Sequence, residues 1–490
     1  MNVRVGLDFG THQTKVCINY QKKGQVPVYE FINFGSKDEI NLFLPSRLNI
    51  HNDDTVSVGI SSNGKPVSES FRYFKMASAE DEVFRGISGL DQEKDHYDKK
   101  RYGKYTPEII SIIYLSFVIG IVEQRFKQID QSSNKKVKSG SFLGKFFGGN
   151  KPKDEPAPKN TFFYQIGIPT EWSKKANFWR RRKFEQILYL AYRLNEVYSY
   201  DLIHQSTMET LTAFVENEYN LLADRLDDEK WNNIIGNSNI SAFPEAAAGL
   251  TYLVKTEKIG EGYYLSLDIG GGSSDVSFFR VNNNRTFEYL ASESLLIASN
   301  DVYDSYGQST SNGTSTEQVQ DTFDRKTPAD FSNDEQYIKA CRKTIKRLEK
   351  KVKRIYNYRV YDRFKKSVAN TKFKNQSCFL YGGGSLLFTD ERGTRKFLEK
   401  VLLHDQGSHS LTATRTYAAI DRITDLSVPH TVKPQEWRKH LPLLVVPLGL
   451  SFIQPDQTYS WSNAHYKPGE GYRNINDHPE IFDIYRRRWV

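Results

Sequence analysis

The chain has 490 residues, 38% hydrophobic and 26% charged, with a formal net charge of +9. That length supports two or more domains with cores of their own, and that balance excludes a disordered chain. The mild positive charge favours neither nucleic acid nor a membrane surface, so no nucleic-acid partner is expected.

In chain order, Val3, Val5 and Leu7 alternate into Asp8 and predict a short buried strand. A glycine turn follows in Gly6-Leu-Asp-Phe-Gly-Thr-His-Gln-Thr-Lys15, and Val16 and Ile18 resume a returning strand. Val26 to Ile32 suggests a third strand, and residues 51–106 turn polar enough to form a small inserted subdomain. Thr106-Pro-Glu opens a helix, with Thr as cap, Pro at the first position and Glu in the first turn. The apolar run Ile109 to Val122 is short for a bilayer and reads as a buried core helix, so no transmembrane segment is expected. Residues 131–160 are rich in Ser, Lys, Gly and Pro and read as a flexible insertion. Within it the apolar-basic island 141–149 either docks a partner, touches a membrane surface or tucks onto its own domain. Phe162 to Ile168 predicts a strand, Lys174 to Asn195 a basic amphipathic helix, Val197 to Ile203 a strand and Thr207 to Ala223 a helix. Residues 307–334 read as loop. Ile338, Cys341, Ile345, Leu348, Val352 and Ile355 then recur at helical spacing, with lysines and arginines on the other faces. Cys17, Cys341 and Cys378 lie far apart without metal-ligand spacing and read as buried thiols of a reducing compartment. The N-terminus enters a strand directly, with no basic region followed by an apolar one, so a cytoplasmic location is expected.

The first glycine turn has a counterpart in Leu267-Asp-Ile-Gly-Gly-Gly-Ser-Ser-Asp-Val276, again between apolar strands. Glycines let backbone N–H groups approach phosphate oxygens closely, and the hydroxyls of Thr11, Thr14, Ser273 and Ser274 add donors. Asp8, Asp268 and Asp275 would repel a polyphosphate by themselves and make sense around a hydrated Mg²⁺. A third element, Cys378-Phe-Leu-Tyr-Gly-Gly-Gly-Ser-Leu-Leu387, is another apolar strand ending in glycines.

These three elements, in this order and at these wide spacings, resemble the nucleotide-binding domain shared by actin, sugar kinases and heat-shock chaperones. The wording is nearest to the DnaK-type, seventy-kilodalton chaperones, without their peptide-binding domain. The resemblance implies an α/β, two-lobed actin-like (ribonuclease H-like) ATPase fold, each lobe a mixed five-stranded sheet flanked by helices, with smaller inserted subdomains. Residues 1–245 would form lobe I and 246–442 lobe II, with an inserted subdomain at about 298–375. Residues 443–453 would be a helix returning to lobe I, and 454–490 a tail. Phe243-Pro-Glu-Ala-Ala-Ala-Gly resembles the helix connecting the lobes, although the chaperones carry a glutamate before the proline, where this chain has Phe243. Two further departures are Ala298-Ser-Asn-Asp301, where the family has paired glycines, and Leu387, where it often has an arginine that packs on the base.

The resemblance also implies roles. ATP or ADP and Mg²⁺ are the expected cofactors, with Asp8 and Asp268 holding the metal through water. Gly10, Thr11 and His12 would form one phosphate loop, and Gly270, Gly271, Gly272 and Ser273 the other. Gly382, Gly383, Gly384 and Ser385 would line the adenosine, with Lys346 beside them. Lys75, within Phe71-Arg-Tyr-Phe-Lys-Met76, matches a lysine aimed at the γ-phosphate, and Asp275 or Glu245 would orient the attacking water. The implied function is a slowly hydrolysing nucleotide switch whose closure is read by a partner protein, through residues 141–149 or the 454–490 tail. An actin-like filament that polymerises with nucleotide, a small-molecule kinase and a degenerate ATP-binding regulator remain open alternatives to a monomeric switch.

Overall fold

A computed structural model of the chain describes residues 1–22, 24–35, 40–60, 65–79, 99–139, 160–173, 178–223, 228–255, 261–309, 318–320, 322, 334–356, 360, 378–384, 434–452 and 460–461. The described strands are β1 (Asn2–Phe9), β2 (Gln13–Tyr20), β3 (Val28–Phe31), β4 (Leu44–Pro45), β5 (Arg47–His51), β6 (Val56–Val58), β7 (Val67–Arg72), β8 (Thr161–Ile168), β9 (Ile240–Pro244), β10 (Gly262–Ile269), β11 (Ser274–Val281), β12 (Phe287–Leu295), β13 (Cys378–Tyr381) and β14 (Ser460–Trp461). With the helices between them they make a mixed α/β protein.

Two larger sheets share one design. The first runs β3-β2-β1-β8-β9, with β4 pairing β2. The second runs β13-β10-β11-β12-β14. In each, a hairpin (β1–β2 or β10–β11) is extended by an antiparallel third strand, β3 or β12. A parallel strand, β8 or β13, lies against the first hairpin strand. The fifth strands differ: β9 continues parallel beyond β8, whereas β14 adds in parallel beyond β12. A separate three-stranded sheet, β6-β5-β7, begins at Arg47, earlier than the inserted subdomain expected from residue 51.

Alternation explains the hairpins. Val3, Val5 and Leu7 are fully buried, and Val16 and Ile18 answer them across the pair. The Pro107–Ser139 and Phe178–Ile203 helices supply Ile113, Phe117 and Leu188 to the core under the first sheet. The Glu335–Ile355 helix buries Cys341, Ile345, Leu348 and Val352 against the second sheet, as its spacing predicts. A third apolar cluster draws on both sheets, with Cys17 and Phe31 from the first and Phe279 and Tyr381 from the second. Two helices complete that cluster, Glu245–Lys255 and Pro434–Phe452. They cross where a Cβ on Gly449 would lie 1.6 Å from the Ala248 carbonyl oxygen, so only glycine permits the approach. Gly6 of β1 is pressed in the same way, its would-be Cβ 2.1 Å from the Pro447 carbonyl oxygen.

Several expectations need correction. Val197 to Ile203 is helical, continuing the Phe178–Ile203 helix past a kink at Ser199 (φ 50°). Packing decides there: Ile203 is fully buried in the first core, although its neighbours have strand-like propensity. The helix opened by Thr106 caps as expected, with Ile109 N–H donating to Thr106 Oγ1 at 3.2 Å, but it runs on to Ser139, into the region read as an insertion. Its Pro107–Gln131 stretch is long and apolar enough to cross a membrane, yet most of it is buried inside the protein, as in a core helix. The Ser299–Ser309 helix enters the stretch read as loop, and the returning helix begins at Pro434 rather than at residue 443. Residues 141–149 lie outside the described residues. Of the tail, Ser460–Trp461 pair with Glu288 and Tyr289 at the edge of the second sheet.

Gly449→Ala is expected to destabilise the chain by about 1–3 kcal/mol, because the two helices must separate to admit the methyl group. Urea unfolding checks this, and a variant within about 0.5 kcal/mol of wild type would contradict the crossing.

Candidate functional site

The two hairpins present matching turns. The last β1–β2 pair is Phe9 with Thr14, the last β10–β11 pair is Ile269 with Ser274, and four residues close each loop. Glycine opens both loops for steric reasons: a Cβ on Gly10 would lie 2.3 Å from Gln13 O, and one on Gly270 2.9 Å from Ser273 O. The same register places Asp8 opposite Lys15 in the first hairpin and Asp268 opposite Asp275 in the second. One hairpin therefore carries an internal ion pair and the other two facing carboxyl groups.

The turns meet. A Cβ on Gly271 would lie 2.6 Å from the ring of His12, so the imidazole of the first turn rests directly on the second. His12 Nε2 is 2.6 Å from Asn300 Oδ1, and the ring stacks near Tyr303 with its centroid 5.8 Å away. The Ser299–Ser309 helix fixes Asn300: the Ser299 and Asn300 N–H groups donate to the carbonyls of Gly270 and Gly271 at 3.2 and 2.9 Å. Ala298 N–H donates to Asp301 Oδ2 at 2.8 Å, and Arg347 Nη1 donates to Asp301 Oδ1 at 2.8 Å. The Ala298–Asp301 segment thus ties one turn to the other.

The third glycine element joins them. Gly382 has φ +88° and no room for a side chain, since its Cβ would lie 2.1 Å from Asp268 Oδ1. A Cβ on Gly384 would lie 2.8 Å from Gly270 O, and one on Gly383 3.2 Å from the Leu443 side chain. Ser385 lies outside the described residues. Lys346 is exposed on its helix, one residue before the Arg347 that reaches Asp301. Gly272 is buried within its turn, Ser273 is partly exposed, and Thr11 is buried in the first turn.

Below the turns lies a buried ionic cluster. Lys15 Nζ pairs with Asp8 Oδ2 at 2.8 Å. Lys75 Nζ pairs with Glu245 Oε1 at 3.1 Å, and both are buried. Glu245 opens its helix immediately after Pro244 and lies over Gly167, where a Cβ would sit 2.9 Å from Glu245 Cγ. Ser294 Oγ donates a short hydrogen bond to Asp275 Oδ1. Glu171 Oε2 accepts from Ser294 N–H at 2.8 Å.

The charges do not balance, and the proton affinities show it. Burial raises Asp268 well above the ordinary carboxylate range, and Glu245, Asp8 and Asp275 add to the rise against Lys15. Burial and Glu245 push Asp275 up to about 8, against the Ser294 hydrogen bond and Lys75. Burial raises Glu245 despite Lys75. Burial alone would lower Lys75, but Glu245, Asp8 and Asp275 outweigh it and hold the ammonium charged. Four carboxyl groups thus share a low-dielectric site with two lysines, an arrangement that favours bound protons or an added cation. Among the described residues no group of three or more His, Cys, Asp or Glu side chains is placed to ligate a metal directly.

Sequence reasoning gave no role to Lys15, although it closes the quoted motif. Its meaning appears once the hairpin register sets it opposite Asp8. Glu171 was also missed, and no sequence signal marks it. No protein-family model matches the chain, and no curated protein matches it.

The raised Asp275 has a measurable consequence. Its folded-state proton affinity exceeds that of the unfolded chain, so between the usual carboxylate range and about pH 8 the folded protein holds a proton that the unfolded chain has released. Stability should fall as pH rises through that window, and Asp275→Asn should flatten the fall. Denaturant midpoints at pH 5 to 8, taken in chelator, check this. Parallel profiles for the two proteins would show that Asp275 is not the titrating group.

Proposed function

We propose that the chain is an ATP-binding, slowly hydrolysing nucleotide switch with a two-lobed actin-like fold of the heat-shock-chaperone type. The observation that carries this reading is the contact of the two glycine turns over a buried carboxylate–lysine cluster. Two hairpins of equal register, each followed by a third antiparallel strand and flanked by a parallel one, support the duplicated-lobe description. The helix crossing at Gly449 and Ala248, between the two sheets, is where a hinge would work.

On this reading the polyphosphate lies between Gly10–His12 and Gly270–Ser273, with backbone N–H groups and the hydroxyls of Thr11 and Ser273 as donors. Asp8 and Asp268 would hold hydrated Mg²⁺, which would offset the charge of the phosphates. Lys75, buried and paired with Glu245, would stabilise charge developing on the reacting phosphate. Glu245 or Asp275 would orient the attacking water. Glu245 is held by Lys75 and Asp275 by Ser294, contacts that would preorganise both carboxyls for that role. His12 rests on the second turn, so nucleotide entry requires the ring to shift. Lobe closure would then differ between ATP and ADP and be read by a partner protein.

Asp8→Asn should lower ATP turnover by a hundredfold or more, on the order of 3 kcal/mol, because a charge-organising group is lost next to Lys15. Phosphate release in the presence of Mg²⁺ is the measurement. Turnover within a few-fold of wild type would remove Asp8 from the mechanism.

A further inference from the structure

The Glu335–Ile355 helix carries nine lysines and arginines against two glutamates, so it holds seven of the nine net positive charges of the chain. Averaged over 490 residues that charge is mild, but the fold gathers it on one element. One side of the helix is apolar and buried, with Cys341, Ile345, Leu348 and Val352 against the second sheet. The opposite side exposes Lys339, Arg342, Lys343, Lys346, Lys350 and Arg354. At about 3.6 residues per turn these six occupy about a third of the circumference, in a row roughly 22 Å long.

Nothing within the fold accounts for the row. Arg347 is taken by Asp301 at 2.8 Å and Lys353 by Glu349 at 2.9 Å, whereas none of the six exposed cations forms an ion pair among the described residues. The helix dipole favours cations in the last turn, which covers Arg354 but not Lys339 to Lys350. Like charges three and four residues apart on one helix face destabilise it. The row is therefore kept at a cost to the helix, with its charge turned outward.

The face also selects its partner. Protein interfaces are centred on apolar or aromatic anchors and are depleted of lysine. This helix contributes none of the exposed large hydrophobic side chains among the described residues. For the same reason single-stranded nucleic acid finds no aromatic platform for its bases. A membrane surface takes up an amphipathic helix by its apolar side, and that side is sealed against the second sheet. What the row offers is a line of cations, four of the six being lysines, which bind phosphates as point charges.

We propose that this face binds the phosphate backbone of a duplex nucleic acid without reading its sequence. Affinity of that kind comes from release of counterions by lysine and arginine, so it is steeply salt-dependent. Lys346, which the family resemblance puts beside the adenosine, lies in the middle of the row. The inference does not rest on the nucleotide reading, because the other five cations have no part in it.

Fluorescence anisotropy of labelled DNA and RNA duplexes of about 20 base pairs, titrated with the full chain in nucleotide-free, magnesium-free buffer, tests it. Wild type should bind saturably, with affinity falling by about two to three orders of magnitude from 50 to 200 mM salt. Lys339→Ala, Lys343→Ala and Lys350→Ala together should weaken binding about tenfold or more at low salt. They should also flatten the slope of log affinity against log salt by about two to three. The same three positions changed to arginine should bind as wild type does. The alanine variant should keep or raise the thermal midpoint, since like charges are removed, and this separates lost binding from lost folding. Preference for one duplex assigns the face to DNA or to RNA, and equal binding assigns it to the shared backbone chemistry. Absence of saturable binding, or an unchanged salt slope in the alanine variant, overturns the proposal. So does tighter binding of poly-glutamate or of phosphatidylserine vesicles than of either duplex. Loss of ATP turnover with duplex binding intact would leave this face standing and count against the nucleotide reading alone.

Discussion

The constraint on which the rest depends is an excess of buried negative charge. Asp8, Glu245, Asp268 and Asp275 converge with Lys15 and Lys75 as their cations. Removing ionised carboxyls from water is costly unless each finds a partner, and two lysines cannot satisfy four of them. The raised proton affinities of Asp268, Asp275 and Glu245 are the direct expression of that shortfall. A site of this kind gives up stability at neutral pH, and a bound cation would restore it.

The asymmetry between the hairpins gives the cluster its direction. The β1–β2 hairpin neutralises its own aspartate with Lys15, while the β10–β11 hairpin sets Asp275 against Asp268. Lys75, which comes from the short helix after Tyr73, faces Glu245 at the head of the helix after β9. Each cation therefore acts on carboxyls from separate elements, and the ionic cluster holds these elements together as the His12–Asn300 contact does above it. A change in the charge of the cluster must be felt by both sheets.

Much of this was legible in the chain. The hairpins announced themselves by period-two alternation into glycine, and the Glu335–Ile355 helix by its apolar stripe, because both signals are local. The kinked Phe178–Ile203 helix was not, since Val197, Tyr198 and Tyr200 have strand-like propensity and only burial of the helix against the first core overrides it. Strand β9 is five residues long and ends in Pro244, so it shows too little periodicity to stand out. The site divides along the same line. Asp8, Asp268 and the glycines sit in motifs that can be read directly. Lys15 opposite Asp8 becomes visible only when strand register is known, because pairing between strands leaves no mark in either strand alone.

A crystal structure with Mg²⁺ and a non-hydrolysable ATP analogue addresses the central claim most directly. The account predicts β- and γ-phosphates between Gly10–His12 and Gly270–Ser273, the His12 ring displaced from Gly271, and a cation one water layer from Asp8 and Asp268. Nucleotide bound away from these turns, or a cleft still closed by His12 with no cation near the two aspartates, would contradict it.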